Sequence, residues 1–232
     1  MPLARAYHCP TDLAEALDLL AGPRRVALAG GTVLNADRTH ADIEFVDLRR
    51  LGLDELTATA DTLSAGAMVD LDHLRTDCGD ELIAEACRRE LPSTLRTLGT
   101  VGGTVMAGGG DSVLLAAMIV SDAQTTTADG VSQPVSETPT GLVCSVTMTV
   151  GGTTSLSATG RTPMDAPIVA AVGRRIGDSV VVAVTGVASR PHRIDPSNPT
   201  ANLAPPDDFR GSAAYRLELV DIHVRRVMEE LS

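Results

Sequence analysis

Two short stretches, Arg25-Val-Ala-Leu-Ala-Gly-Gly-Thr32 and Gly99-Thr-Val-Gly-Gly-Thr104, decide how this chain is read. In each, a glycine pair ends in a threonine. Glycine lacks a Cβ, so backbone N–H groups can converge on an anion at close range, and the threonine adds a hydroxyl. The expectation is that each pair follows a β-strand, and that the two, about seventy residues apart, form the sides of a pyrophosphate cleft. The candidate residues are Ala29, Gly30, Gly31, Thr32, Val33 and Leu34 on one side and Thr100, Val101, Gly102, Gly103 and Thr104 on the other. Taken singly, either pair reads equally well as an ordinary tight turn.

Neither stretch is a G-x-G-x-x-G or a G-x-x-x-x-G-K-[ST] signature. The second is impossible, because all 19 basic residues are arginine. The absence of lysine also removes Schiff-base and pyridoxal phosphate chemistry. No catalytic residue is singled out by the sequence.

The 232 residues, 44% of them hydrophobic, suffice for one large core or two to three small ones. A formal charge of −11 argues against a backbone-binding nucleic-acid partner, which needs a basic face to release counterions. No run of apolar residues is long enough to span a bilayer, and no basic flank leads into an apolar segment. The expectation is a cytoplasmic protein. Cys9, Cys78, Cys87 and Cys144 lack C-x-x-C spacing, and the five histidines are scattered, so no metal site is expected. Tyr7, Phe45, Phe209 and Tyr215 are the only aromatic residues. A bound ring system would therefore rest on aliphatic side chains and backbone.

Working outward from the first stretch, Asp12 and Glu15 are placed as a capping box for a helix carrying Leu13, Ala16, Leu17 and Leu20. Arg25–Ala29 and 43–48 read as strands, so residues 1–50 form a βαβ-like unit. Residues 54–66 alternate as a hairpin. Short helices are expected near 71–75 and 80–90, the second with Cys87 on its apolar stripe. Residues 113–120 are helix or strand by periodicity, 125–140 a surface connection with at most a short strand, and 143–150 a strand. Residues 165–172 and 179–184 suggest an antiparallel layer, the proline-rich 191–206 a long loop, and 212–231 a final helix.

The order of these motifs resembles the FAD-binding subunit or domain of the molybdenum hydroxylases, the family of the carbon monoxide dehydrogenase medium subunit and the xanthine dehydrogenase flavin domain. The resemblance runs through Pro10-Thr-Asp-Leu-Ala-Glu-Ala-Leu-Asp-Leu-Leu20, Leu28-Ala-Gly-Gly-Thr32 and Gly99-Thr-Val-Gly-Gly-Thr104. It continues in Leu114-Leu-Ala-Ala-Met118 with Ser121-Asp-Ala123, Arg161-Thr-Pro-Met-Asp165, and Ser212-Ala-Ala-Tyr-Arg-Leu-Glu-Leu219 with Val224-Arg-Arg-Val-Met-Glu-Glu230. The resemblance implies an α+β fold: two α/β subdomains, 1–52 and 53–150, enclosing an FAD cleft, and a C-terminal antiparallel-sheet and helix subdomain, 151–232.

In such proteins the two glycine segments hold the FAD pyrophosphate. The resemblance thus implies an electron-transfer flavoprotein subunit. Its partners would be a large subunit bearing a molybdenum cofactor and a small subunit bearing 2Fe–2S clusters. This chain departs from the pattern at Thr104-Val-Met-Ala-Gly-Gly-Gly-Asp111, where the family carries an asparagine or serine and an Asp-Pro loop, and at Ala158, where it often carries lysine. A flavin-free scaffold subunit and a stand-alone flavin-binding protein recruited to other chemistry stay open as alternatives.

Overall fold

The computed structural model describes residues 4–34, 42–162 and 165–232. The fold is α+β, with three sheets. The first is formed by β1 (Ala6–His8), β2 (Arg25–Leu28) and β3 (Glu44–Asp47), in the order β1-β3-β2, with parallel pairing throughout. Between β1 and β2 lies α1 (Leu13–Leu20). The expected capping box is present: Asp12 accepts from the Glu15 N–H at 2.9 Å, and Glu15 reaches back to the Thr11 N–H at 3.1 Å. β1 carries no periodic signal in three residues, and its place in the sheet comes from β3 alone.

The second sheet contains β4 (Leu56–Ala58), β5 (Thr62–Gly66), β6 (Gln124–Thr127), β7 (Ser132–Pro134) and β8 (Val143–Thr149), ordered β4-β5-β8-β6-β7 and antiparallel. The expected 54–66 hairpin is β4–β5. The connection expected at 125–140 is instead the β6–β7 hairpin. It turns at Asp129-Gly130, where Gly130 has φ +80 and Asp129 accepts from the Val131 N–H and the Thr127 hydroxyl. Polar threonines masked it, yet Thr125 and Thr127 are buried.

Helices α2 (Leu71–Asp77), α3 (Glu81–Glu90), α4 (Ser93–Arg96), α5 (Val101–Ala107) and α6 (Val113–Val120) lie between β5 and β6. All eight residues of α6 are buried, which resolves its ambiguous periodicity: a helix apolar on every side is a core helix. Cys87 is fully buried on α3, as its apolar stripe requires.

The third sheet, ordered β12-β11-β10-β9, comprises β9 (Thr153–Thr159), β10 (Val169–Ile176), β11 (Ser179–Val184) and β12 (His192–Ile194), antiparallel and covered by α7 (Ala213–Leu231). The antiparallel layer expected from the valine-rich 165–184 segment is therefore β10–β11. The short β12 lies inside the segment expected to be a continuous loop. One core cluster joins α6 and the second sheet to Ala170, Val172, Val181 and Ala183 of the third. A second cluster lies between the other face of β10–β11 and α7. Alternation along β10 accounts for this: Ala170 and Val172 face α6, whereas Val169 and Ala171 face α7.

Candidate functional site

The two glycine segments meet across a cleft of about 730 Å³. Ala29, Gly30, Gly31, Thr32, Val33 and Leu34 line one wall; Thr100, Gly102, Gly103 and Thr104 line the other. Val101 does not reach the cleft. Its side chain is fully buried in the core beneath. Leu17, Leu20, Val26 and Leu48 complete the first wall, and Met68, Leu91 and Gly141–Val143 the second.

The glycines serve different physical ends. A Cβ on Gly30 would lie 1.4 Å from the Leu98 carbonyl oxygen, so the first turn rests directly on the backbone leading to the second. Gly31 has φ +72, a conformation that side chains disfavour. A Cβ on Gly102 would sit 2.7 Å from that of Ala67. Gly103 alone meets only a neighbouring side chain, Thr100 Oγ1 at 2.9 Å.

The second glycine pair does not follow a strand. It lies in the first turn of α5, capped by Thr100, whose hydroxyl accepts from the Gly103 N–H at 3.1 Å. The N–H groups of Val101, Gly102 and Thr104 are spent on Val69, Ala67 and Thr100 carbonyls at 3.0, 2.9 and 2.9 Å. The expectation that this pair offers backbone donors to an anion is corrected accordingly. By contrast, no hydrogen bond among the described residues occupies the N–H groups of Gly30 to Leu34. Among the described residues the donors without a partner therefore lie on the first turn.

None of the four aromatic residues lines the cleft, and among the described residues its only charged lining residues are Arg25 and Glu90. Arg25 donates to Glu44 at 2.9 Å and to the Leu19 carbonyl at 3.1 Å. Hydrogen bonds from Arg25 and His8 hold the Glu44 carboxyl below its ordinary value. Glu90, which the sequence reading did not single out, ends α3 and receives the Leu114 N–H of α6 at 2.9 Å. Burial pushes its pKa up to about 7, against the opposing bond from Leu114. Among the described residues, apolar walls, a donor turn without partners and a single cation, itself paired, suit a ring system joined to an anionic linker. The described residues of the cleft thus fit a dinucleotide.

Glu90 and Leu91 also line a second cavity of about 760 Å³, between α3–α4 and the segment joining β9 to β10. Among the described residues no group of three His, Cys, Asp or Glu side chains could hold a metal ion. All four cysteines are free, and burial raises the thiol pKa of Cys78, Cys87 and Cys144, which keeps them unreactive. No described helix is long and apolar enough to cross a membrane.

Residues 3–136 match the family model described as the FAD binding domain in molybdopterin dehydrogenase. No curated protein sequence matches the chain. Among solved structures, the chain is similar to a chain of the carbon monoxide dehydrogenase from Hydrogenophaga pseudoflava that lacks the Mo-pyranopterin moiety of the molybdenum cofactor. That likeness has a TM-score of 0.88 at 20% identity and covers 100% of this chain and 98% of that one. It is similar also to a chain of quinoline 2-oxidoreductase from Pseudomonas putida 86, with TM-score 0.83, 22% identity, and coverage of 98% and 97%. Reconstituted CO dehydrogenase from Oligotropha carboxidovorans gives 0.83 at 23% identity over 100% and 98%. At these identities the likeness is one of fold. The family model spans more than half of the sequence and includes both glycine segments, and so the chain belongs to the family of FAD-binding domains of molybdopterin dehydrogenases.

Proposed function

We propose that this chain is the FAD-binding electron-transfer subunit of a molybdenum hydroxylase-type oxidoreductase. The observation that carries the reading is the cleft of about 730 Å³ in which the Gly30–Leu34 turn, whose N–H groups take no partner among the described residues, faces Gly102 and Gly103 inside a matched FAD-domain family region. FAD, when bound, supplies the redox chemistry, and the protein supplies position and electrostatics. Gly30–Leu34 and Thr32 hold the diphosphate through backbone and hydroxyl donors. Leu17, Leu20, Val26 and Leu142 exclude water from the ring systems. Electron transfer asks no general acid or base of this chain.

The proposed partners are a large subunit carrying the molybdenum cofactor and a small subunit carrying 2Fe–2S clusters. Similarity to a chain of a CO dehydrogenase described by its molybdenum cofactor supports them. Each of the proposed subdomains, 1–52, 53–150 and 151–232, carries one of the three sheets. The four free cysteines favour a reducing compartment such as the cytoplasm.

Co-expression with candidate partner subunits tests the reading. A copurified complex with flavin absorption on this chain, bleached when the molybdenum partner is given its substrate, is the expected result. A colourless complex that takes up no FAD would overturn it. That outcome would favour a flavin-free scaffold, a reading to which the spent N–H groups of Val101–Thr104 lend support.

A further inference from the structure

Among the described residues Glu90 is the only carboxylate in the cleft wall, and it forms part of the partition between the two cavities. It is half-buried at the junction of the α3 C-terminus and the α6 N-terminus, and its surroundings differ from those of every other acidic group nearby. No cation among the described residues pairs with it. Its partners are the Leu114 N–H at 2.9 Å, together with the Ser112 hydroxyl and the Val113 N–H.

The nearby charges are committed elsewhere. On α3 itself, Glu85 takes Arg88 at 2.6 Å and Arg89 at 2.7 Å. Arg96 of α4 donates to the Leu91 carbonyl at 3.1 Å, and Asp111, ahead of α6, is paired with Arg210 at 2.9 Å. Across the second cavity Arg161 pairs with Asp165 at 3.6 Å, and across the cleft Arg25 pairs with Glu44 at 2.9 Å. Cys87, one turn back on α3, has its thiol pushed far above the neutral range.

We propose that the cleft takes up one proton together with its diphosphate-bearing dinucleotide, and that Glu90 is the residue that receives it. The inference rests on the function proposed above. A ligand filling the cleft expels the water that solvates the carboxylate, and its diphosphate adds negative charge to the same cavity. Both effects disfavour the charged form. The free carboxyl is already poised at about 7 by burial, so any further rise moves the change through the neutral range. The sign follows: binding is tightest at low pH, where Glu90 is protonated before the ligand arrives. Affinity then falls by up to about tenfold per pH unit above about 7, until the carboxyl of the complex also ionises.

The test is calorimetric titration of the full chain with FAD, and separately with ADP, at pH 6 to 8.5 in two buffers of different ionisation enthalpy. The wild-type chain is expected to take up more than about half a proton per FAD at pH 8, with affinity falling over the same range. In Glu90→Gln, which keeps an acceptor for the Leu114 N–H, uptake and pH dependence are expected to disappear. FAD binding with no proton uptake by the wild-type chain would overturn this inference and leave the FAD reading intact. Uptake persisting unchanged in Glu90→Gln would do the same. Failure of both FAD and ADP to bind at any pH would overturn the inference and the function it rests on together.

Discussion

Arg174 on β10 donates to both carboxylate oxygens of Asp80, the residue that caps α3, at 2.8 and 2.9 Å, with the two side chains only 1% and 4% exposed. Asp80 accepts in addition from the Ile83 and Gly151 N–H groups at 3.1 Å, and Arg174 donates to the Gly151 carbonyl at 2.5 Å. One buried ion pair therefore fixes the third sheet to the helix whose far end carries Glu90. Asp80→Ala leaves the guanidinium buried without its counter-ion and is expected to cost about 3–5 kcal/mol. Urea unfolding at pH 7 measures it.

The same pair sets an acid limit. Burial raises the Asp80 carboxyl, but the Arg174 hydrogen bonds and the Ile83 N–H outweigh it and hold the group below its ordinary value of 3.8. Its contribution is fully present above that value and is lost as pH falls through the lower, folded one. Acid unfolding should steepen below about pH 4 in the wild type, and this component should be missing in Asp80→Asn.

His223 on α7 predicts a separate pH window. It is 1% exposed, with Ser157 Oγ at 2.8 Å from Nδ1 and Thr159 Oγ1 at 2.9 Å from Nε2. Burial, and secondarily the Arg226 charge, lower its pKa from 6.5 to about 4. The unfolded chain binds the proton more tightly than the folded one, so stability falls as pH drops from about 6.5 to about 4 and levels off below. The loss should amount to roughly 3 kcal/mol, read as unfolding midpoints across that range, and His223→Leu should abolish the slope.

Gly30 and Gly103 should respond unequally to alanine. At Gly30 the new methyl meets a backbone carbonyl that cannot step aside, 1.4 Å away. We expect a loss of about 2 kcal/mol or more, with the first turn displaced from Leu98. At Gly103 the contact is one hydroxyl at 2.9 Å, and the expected cost is below about 1.5 kcal/mol, chiefly a weakened Thr100 cap. Paired thermal melts of the two variants decide this.

Where local chemistry and tertiary environment agree, the elements were legible in the sequence. Asp12 with Glu15, the stripe Leu82, Ile83, Ala86 and Cys87, and the run Val180–Val184 each encode their structure within one turn or strand. β9 was illegible because Thr153–Thr159 carries small polar residues. Its hydroxyls face α7, where Ser155 bonds Glu230 at 2.6 Å and Ser157 bonds His223. The helical state of Gly102-Gly103 runs against glycine propensity and is imposed by the Thr100 cap and the close seat on Ala67.

Much of the candidate site was legible as well, since both glycine segments border one cleft. The division of labour between them was not, because it depends on which N–H groups the fold itself consumes. Glu90 was missed for a related reason. In sequence it follows Arg88-Arg89 and reads as the solvated end of a helix, and only the packing of α6 encloses it. A carboxylate directly before Leu91-Pro92, at the close of an apolar stripe, was the available signal.

The account turns on whether the Gly30–Leu34 turn holds the diphosphate of FAD. Equilibrium dialysis of FAD against the purified full chain at pH 6.5, for wild type and Gly31→Val, addresses this most directly. Gly31 has φ +72, so a β-branched residue there deforms the donor turn at a position remote from the Asp80–Arg174 pair. The account predicts saturation at one FAD per wild-type chain, competition by ADP, and at least about tenfold weaker binding by a still-folded Gly31→Val. Absence of FAD binding by the wild type, or equal binding by the two proteins, would contradict it.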